Sequence, residues 1–540
     1  MNADDVPVAP AARVLGPLAL LAPAGLVGGR LGAVVDGRDP DGSLVVPVTA
    51  VAVVVLVGAA RRARAGGDVV AAALTVLAML LVTLAGVLLR LDGAAHGPVA
   101  DLVDRGGVAT VEADVAAEPR HGARGWRTTL RVRTVDGSPA GVRAAVVLDE
   151  ALPLGTPLTV RASARPLPDG GYGRWLAQAH AVAVLDVTDV VTVGRAGPLV
   201  AWSEQVRARI RRAATRHLDG GRGGLLVGFV TGDTRLLPDT DAEAMRATGL
   251  SHLTAVSGSN TAILLGGVAG LLALLRLPAR GRQVLLAVTV VAFVVLTRLE
   301  PSVLRAGTMA LLVLAAAASG VARDARHLLA GAVVLLVLVD PLLTWSLGLL
   351  LSAGATLGVL VVAPALTARL ERHLPRPLAG LLGITLGAQL AVAPVLLLGF
   401  GTIPWVSVPA NLLAVPAAAF GATVAFVGSA IALVHVGAAS SVFVLAGPAA
   451  GAVLTVARAG AALPGGPTLP DAPGPRALAV VAVGATLLLI RSLRPLGRDR
   501  RPSEGDRPPS SDVPNRFGAR SGGASRSARS DEPRRERSTT

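Results

Sequence analysis

The sequence contains no cysteine. That excludes structural disulfides, cysteine-ligated zinc and thiol chemistry, and it leaves the redox compartment undetermined. Lysine is absent too. Every basic residue is arginine, a pattern that reads as coding bias and removes some functional meaning from the arginine excess. Without lysine there is no GxxxxGK[ST] phosphate loop, so ATP-driven pumping by this chain alone is not expected. The eight histidines are His96, His121, His180, His217, His252, His327, His373 and His435. They are scattered, and no HxH or HExxH pattern gathers them into a metal-hydrolase ligand set. Ser257 lies in VSGS, whose flanks do not form the GxSxG nucleophile elbow. No enzymatic activity, metal or cofactor is therefore expected. Charge is also scarce, at 16% of residues, far less than the surface of a soluble chain of 540 residues needs.

What is abundant is apolar sequence, at 52% of residues with a mean hydropathy of +0.61. Repeated apolar runs of roughly 15 to 25 residues point to a polytopic α-helical membrane protein. The net charge of +15 suits arginine-rich cytoplasmic loops and a basic tail as readily as an anionic cargo. The first residues, MNADDVPVAPAAR, carry acids, and the first apolar run has no small-residue cleavage site. That run is expected to remain as a span. Apolar runs at 14–35, 44–60 and 69–91 are separated by the acidic loop DGRDPDGS and the basic loop RRARAGGD. Arginine-rich loops stay inside, which puts the N-terminus in the cytoplasm and the residues after 92 outside. Residues 1–99 thus form an N-terminal set of spans.

Residues 100–198 change character. Strand-like runs occur at 108–116, 126–135, 142–149, 157–167 and 181–193, punctuated by turn sequences such as DGSPAG and PDGGYG. Five short strands predict a small OB-like β-barrel, inserted on the extracytoplasmic side. In WRTTLRVR, alternation puts Arg127, Arg131 and Arg133 on one strand face, with Trp126 nearby. Such a stripe could contact a nucleic-acid backbone and stack a base. Arginines and acids are equal in number over this region, so a solvated strand face is the competing reading.

At 199–222, Trp202, Val206, Ile210, Ala214 and Leu218 recur every four residues, and arginines including Arg207 and Arg211 fill the remaining surface. This predicts a basic amphipathic helix in the interface plane, gathering either polyanion or anionic lipid. From 223 to 494 the chain reads as mostly membrane-embedded. The basic loops at 276–282, 322–327 and 367–377 are expected to be cytoplasmic, with short outer turns near 298–301 and 340–341. The whole chain should hold about 10–12 spans at ~20 residues each, ending inside. Residues 495–540 are Arg, Ser, Pro, Gly and Asp, a composition expected to be a disordered basic tail.

Polar residues interrupt the apolar region at four places. Between 228 and 267, Asp233 is followed by His252, Thr254, Ser257, Ser259, Asn260 and Thr261, with Gly258 among them. A broken or re-entrant helix lining a passage is one reading, and a polar helix cap is the other. Arg305 enters an apolar run, where a charge costs ~3 kcal/mol unless paired or hydrated. It either faces a pore, or pairs with Glu300 or snorkels to the outer interface. Gln389 and Asn411 interrupt further runs, amid Pro394, Pro404, Pro409 and Pro416. Prolines at this density should break helices and free carbonyls. The polar pair either lines a pathway or joins helices.

Four segments in order resemble the ComEC competence family. They are GLLVGFVTGDTRLLP with TGLSHLTAVSGSNTAIL, then PSVLRAGTMALL, then DPLLTWSLGLLLSAGATLGVL, then GAQLAVAPVLLLGFGTIPWVSVPANLLAVP. The segment YGRWLAQAHAVAVLD is similar to the one that closes the family's OB-like domain. The resemblance implies a multi-pass inner-membrane channel carrying single-stranded DNA into bacteria. Asp233, His252, Ser257, Asn260, Arg305, Gln389 and Asn411 are then the candidates to line or shape the passage. It also implies a DNA receptor and a cytosolic helicase or translocase acting in trans, beside membrane lipids, with a homo-oligomer left open. Many members carry histidine where Asn260 stands here. Many also carry a metallo-β-lactamase-like domain whose motif is not in this sequence, so a separate nuclease is expected if one strand is degraded. The alternatives from other classes are a transporter or exporter of a smaller anionic or lipid-linked solute, and a non-transporting membrane scaffold.

Overall fold

In the computed structural model, residues 78–88, 96–122, 125–169, 172–173, 176, 180–254, 256–320, 324–400 and 404–463 are described. The expected spans at 14–35, 44–60 and 477–490 and the expected tail at 495–540 lie outside these residues. Of the run at 69–91, helix α1 (Ala78–Leu88) is described.

Alternation of side chains builds the N-terminal β region. After α2 (Pro98–Arg105) come β1 (Ala109–Val115), β2 (Arg120–Gly122), β3 (Gly125–Val135), β4 (Ser138–Leu148), β5 (Pro157–Arg165) and β6 (Ala181–Val193). Strand β1 buries Ala109, Val111, Ala113 and Val115 while Thr110 and Glu112 face out. This is the period of two that a half-buried strand requires. The sheet order is β1-β5-β6-β4-β3-β2, and β1 also pairs with β3. That extra pairing closes β1, β5, β6, β4 and β3 into a five-stranded barrel. β4 and β6 are parallel; the other pairings are antiparallel. Val99 and Leu102 of α2 join Leu130, Val132, Val160 and Leu185 in the barrel core.

The β3–β4 hairpin turns at Asp136 and Gly137, with φ of 48° and 81°. Two consecutive positive φ values suit the right-handed strand twist, and the Asp-Gly pair supplies them. The Asp136 carboxyl accepts the Thr110 N–H at 2.8 Å and Arg105 Nη2 at 2.9 Å. These bonds hold it below the ordinary aspartate range.

The helical region runs through α3 (Pro198–Thr215), α4 (Gly220–Thr231), α5 (Asp239–Ala247), α6 (Ser251–Thr254), α7 (Gly258–Leu274), α8 (Ala279–Leu296) and α9 (Pro301–Ala318). It continues through α10 (Ala325–Val339), α11 (Leu347–Val361), α12 (Ala363–Leu370), α13 (Arg376–Phe400), α14 (Ser407–Ala432) and α15 (Val436–Ala461). Side-chain caps start several of these. Asp219, Ser257, Asp324 and Ser346 accept first-turn N–H groups of α4, α7, α10 and α11.

Among the described residues, six helical segments are long and apolar enough to cross a membrane. They are Ser251–Leu274, Ala279–Leu296, Pro301–Ala318, Arg376–Leu397, Ser407–Ala432 and Val436–Ala461. The α11–α12 pair, bent by 46°, would make a seventh. α14 and α15 pack through small side chains. Ala410, Ala414, Ala418 and Ala422 of one, and Ala446, Ala450 and Ala457 of the other, are all buried. Small residues let helix backbones approach closely where the apolar driving force is weak.

Two expectations are corrected. Pro394 and Pro416 do not break helices; they sit inside α13 and α14. Neighbouring helices and local adjustment satisfy the carbonyls that a membrane proline frees. The segment at 199–222, expected as one helix, is divided between α3 (Pro198–Thr215) and the start of α4 (Gly220–Thr231). Its first part, α3, packs into the helical core through Val206, Ile210 and Ala214, beside residues of α4, α14 and α15. Trp202, from the same stripe, stays 42% exposed. A four-residue period states that a face is apolar, and lipid and protein satisfy it equally.

Candidate functional site

Two polar clusters lie within the helical region. The first centres on the interruption between α6 and α7. Val256 is buried, and its carbonyl accepts Ser302 Oγ at 2.5 Å. Ser257 caps α7: its Oγ accepts the Asn260 N–H at 3.3 Å and lies 2.6 Å from Ser259 Oγ. Asn260 is 8% exposed, and its Nδ2 donates to the Phe229 carbonyl of α4 at 2.8 Å. Thr254 Oγ1 donates to the Ser251 carbonyl at 2.7 Å, and Thr261 Oγ1 to the Ser257 carbonyl at 3.3 Å. His252 is exposed, and its Nδ1 donates to the Gly249 carbonyl at 3.1 Å. The segment is thus both a capped helix start and a tether, held by α4 on one side and α9 on the other.

Arg305 completes this cluster. It lies in the second turn of α9 and is 5% exposed. Its Nε donates to Ser352 Oγ of α11 at 2.8 Å, and its Nη1 to Met309 Sδ at 3.2 Å. Of the alternatives, a pair with Glu300 is not seen, and among the described residues no carboxylate lies within 4.0 Å of this guanidinium. Its Nη2 lies 2.8 Å from the point a Cβ on Gly258 would occupy.

The second cluster joins the barrel to the helices. Asp233, 0% exposed, follows α4. Its carboxylate meets Arg211 Nη1 and Arg235 Nη2, each at 2.7 Å, and Arg207 Nη2 at 3.4 Å. Glu118, from the segment between β1 and β2, contacts Arg207 Nη2 at 3.2 Å, Arg235 Nε at 3.1 Å and Arg298 Nη1 at 2.8 Å. Glu204 of α3 pairs with Arg298 and lies 3.7 Å from Arg207 Nε. Arg207, 1% exposed, also donates to the Thr231 and Leu296 carbonyls at 2.8 and 3.0 Å. Four guanidiniums thus meet three carboxylates, with one positive charge in excess.

Burial alone would raise the Asp233 pKa. The Arg235 hydrogen bond and the Arg207 and Arg235 charges prevail and hold it well below the usual range. Arg235 is pushed up: burial lowers it, but the bond to Asp233 more than offsets that. Arg207 is lowered, by burial first and then by the Arg298 charge.

The remaining candidates lie apart from both clusters. Gln389 Oε1 accepts Ser407 Oγ at 3.5 Å, and Asn411 Nδ2 donates to the Ser407 carbonyl at 2.8 Å and to its Oγ at 3.2 Å. The Gln389–Ser407 contact crosses from α13 to α14, while the Asn411 bonds stay within α14. On the barrel, Arg127, Arg131 and Arg133 are exposed on β3. Arg127 lies 6.0 Å from the centre of the Tyr172 ring, and Arg133 Nε 3.5 Å from Asp114. Trp126 is half-buried at the start of the same strand. Arg207 and Arg211, candidates for contact with polyanion or anionic lipid, lie in the ion cluster.

Sequence reasoning passed over Glu118, Glu204, Arg235, Ser302 and Ser352. The two serines could have been flagged as polar residues in apolar runs. Nothing in the spacing connects Glu118 to Arg298.

Residues 229–495 match the model of the competence protein family. The chain belongs to this family. The competence segment starts at Phe229, the residue whose carbonyl holds Asn260, and takes in Ser257, Arg305, Gln389 and Asn411. The barrel and α3 precede it. Over 194 residues the chain is 29% identical to ComE operon protein 3 of Bacillus subtilis (strain 168). That alignment covers 36% of this chain and 24% of the Bacillus protein, so only a quarter of that relative is represented. No solved structure matches the chain.

Proposed function

We propose that this competence-family protein is a multi-pass plasma-membrane channel through which single-stranded DNA enters the cell during natural transformation. The observation that carries the reading is Arg305, a buried guanidinium with no carboxylate beside it among the described residues, set against the interrupted helix within the competence segment. A lone cation at membrane depth costs ~3 kcal/mol on insertion scales. A polyanion passing beside it would offset that cost, and DNA carries one charge per phosphodiester.

In this reading residues 223–494 form the channel domain and residues 100–198 an extracytoplasmic OB-like domain. The closed order β1-β5-β6-β4-β3 with its parallel β4–β6 pair supports the OB comparison. The extracytoplasmic side is supported by Glu118, which binds Arg298 in the turn opposite the arginine-rich loops. Both termini are then cytoplasmic. A lysine-free chain has no phosphate-loop lysine, so a cytosolic helicase or translocase supplies the driving force and a surface receptor delivers the DNA.

The test is transformation with labelled DNA in cells lacking the protein. Label should remain outside the cytoplasm and transformants should disappear. Unaffected transformation would reject the proposal.

A further inference from the structure

Helix α7 presents its N-terminus to Arg305. The first N–H groups of an α-helix have no acceptor within the helix, and that end carries about half a positive charge. In α7 the Ser257 hydroxyl takes the Asn260 N–H, which leaves the mouth of the helix open at Gly258 and Ser259. The mouth is fixed in place. Asn260 is tied to Phe229, and Val256 to Ser302.

Arg305 supplies the second, independent feature. Its Nε and Nη1 are committed to Ser352 and Met309. Its Nη2 has no hydrogen-bond partner among the described residues and lies against Gly258. Any other residue at 258 would place a Cβ 2.8 Å from that nitrogen. Glycine therefore keeps the free N–H of a buried guanidinium beside the positive end of a 17-residue helix. Helix ends and guanidiniums are both recognised partners of phosphate oxygens.

We propose that the α7 N-terminus and Arg305 Nη2 together bind one phosphodiester oxyanion of the DNA backbone. The inference rests on the uptake reading and adds to it a definite subsite. One guanidinium and one helix end match a singly charged phosphodiester, and neither reads a base, so the subsite is indifferent to sequence. Phospholipid headgroups carry the same chemistry, and the experiment separates the two.

The test uses the full chain in a phosphate-free maltoside detergent, with fluorescein-labelled oligo(dT) followed by anisotropy. Arg305→Gln should weaken binding about tenfold, a loss of ~1.4 kcal/mol. It should also reduce the slope of log affinity against log salt by ~0.7, the value for one phosphate on a single strand. Arg305→Lys should retain the slope, and Gly258→Ala should weaken binding with the slope intact. These two variants carry the test if Arg305→Gln does not fold.

Equal affinity and slope in wild type and Arg305→Gln would refute the subsite while leaving the uptake reading standing. Added phosphatidylglycerol is the second arm. If wild type ignores oligo(dT) but binds this lipid in an Arg305-dependent way, the site is a headgroup site and the DNA assignment is overturned. Loss of transformants in the deletion strain would still support uptake in either case.

Discussion

Substitution of Asp233 by Asn removes the most deeply buried charge of the ion cluster while keeping its shape. The carboxylate faces Arg211 and Arg235 at 2.7 Å and Arg207 at 3.4 Å. Once it is neutral, four guanidiniums are left with two carboxylates, Glu118 and Glu204. Breaking a buried pair by removing one partner costs ~3–5 kcal/mol. Arg211 and Arg235 are about a quarter exposed and can turn toward water, which places the expected loss near the lower end, ~3 kcal/mol.

The assay is denaturant or thermal unfolding of the detergent-solubilised full chain, followed by circular dichroism. The Asp233→Asn and Arg211→Met pair is measured singly and together. The cycle should return a coupling of ~1–3 kcal/mol. The pH response has a defined sign. The folded carboxyl titrates below its unfolded value of about 3.9. Its contribution is therefore complete above that value and is lost as pH falls toward the folded pKa. Between about pH 5 and 7 the gap between wild type and Asp233→Asn should be constant, and below about pH 4 it should close. A loss within ~0.5 kcal/mol, the range of an inconsequential surface change, would show that the cluster is not a stabilising unit.

Three further outcomes are expected. Ala450→Leu puts a larger side chain into the fully buried α14–α15 seam and should destabilise by ~1–3 kcal/mol; an unchanged unfolding midpoint would contradict the close packing. Asp324→Ala removes the cap of α10 and should cost about 1 kcal/mol. The Arg326 hydrogen bond holds the Asp324 carboxyl down at about 2, so the wild-type advantage should persist at neutral pH and fade between about pH 4 and 2, and an advantage that survives below that window would assign it to another group. Replacing Arg127, Arg131 and Arg133 together by Gln should flatten the salt dependence of oligo(dT) binding by up to ~2 if the barrel face touches the strand; an identical slope would leave β3 a solvated face.

The parts that were legible in the sequence are those set by local chemistry. The strand at 108–116 announces itself by alternation, that at 181–193 by its valine-rich run, and the turn at 136–137 by its Asp-Gly pair. A polar helix cap was one of the two readings of the 251–261 segment, since capping spans only three residues, but the capping residue is Ser257 and not Ser251 or His252. Long-range pairing was not legible. Glu118 and Arg298 are remote in the chain and meet only because β1 ends beside the α8–α9 turn. The stripe of α3 was found, but not its partner, since burial against alanine-rich helices and burial in lipid leave the same trace. Pro394 and Pro416 misled for a related reason: whether a proline breaks a helix depends on neighbours the local sequence does not name. Arg305 was visible as a charge in an apolar run, while its lack of a counter-charge became apparent only with α11 in place.

Glu118 grips Arg298, and seven residues later the same stretch of chain carries Arg305. The barrel is thus clamped to the root of the helix that bears Arg305. A displacement of the barrel at Glu118 would reach the α8–α9 turn first, through Arg298.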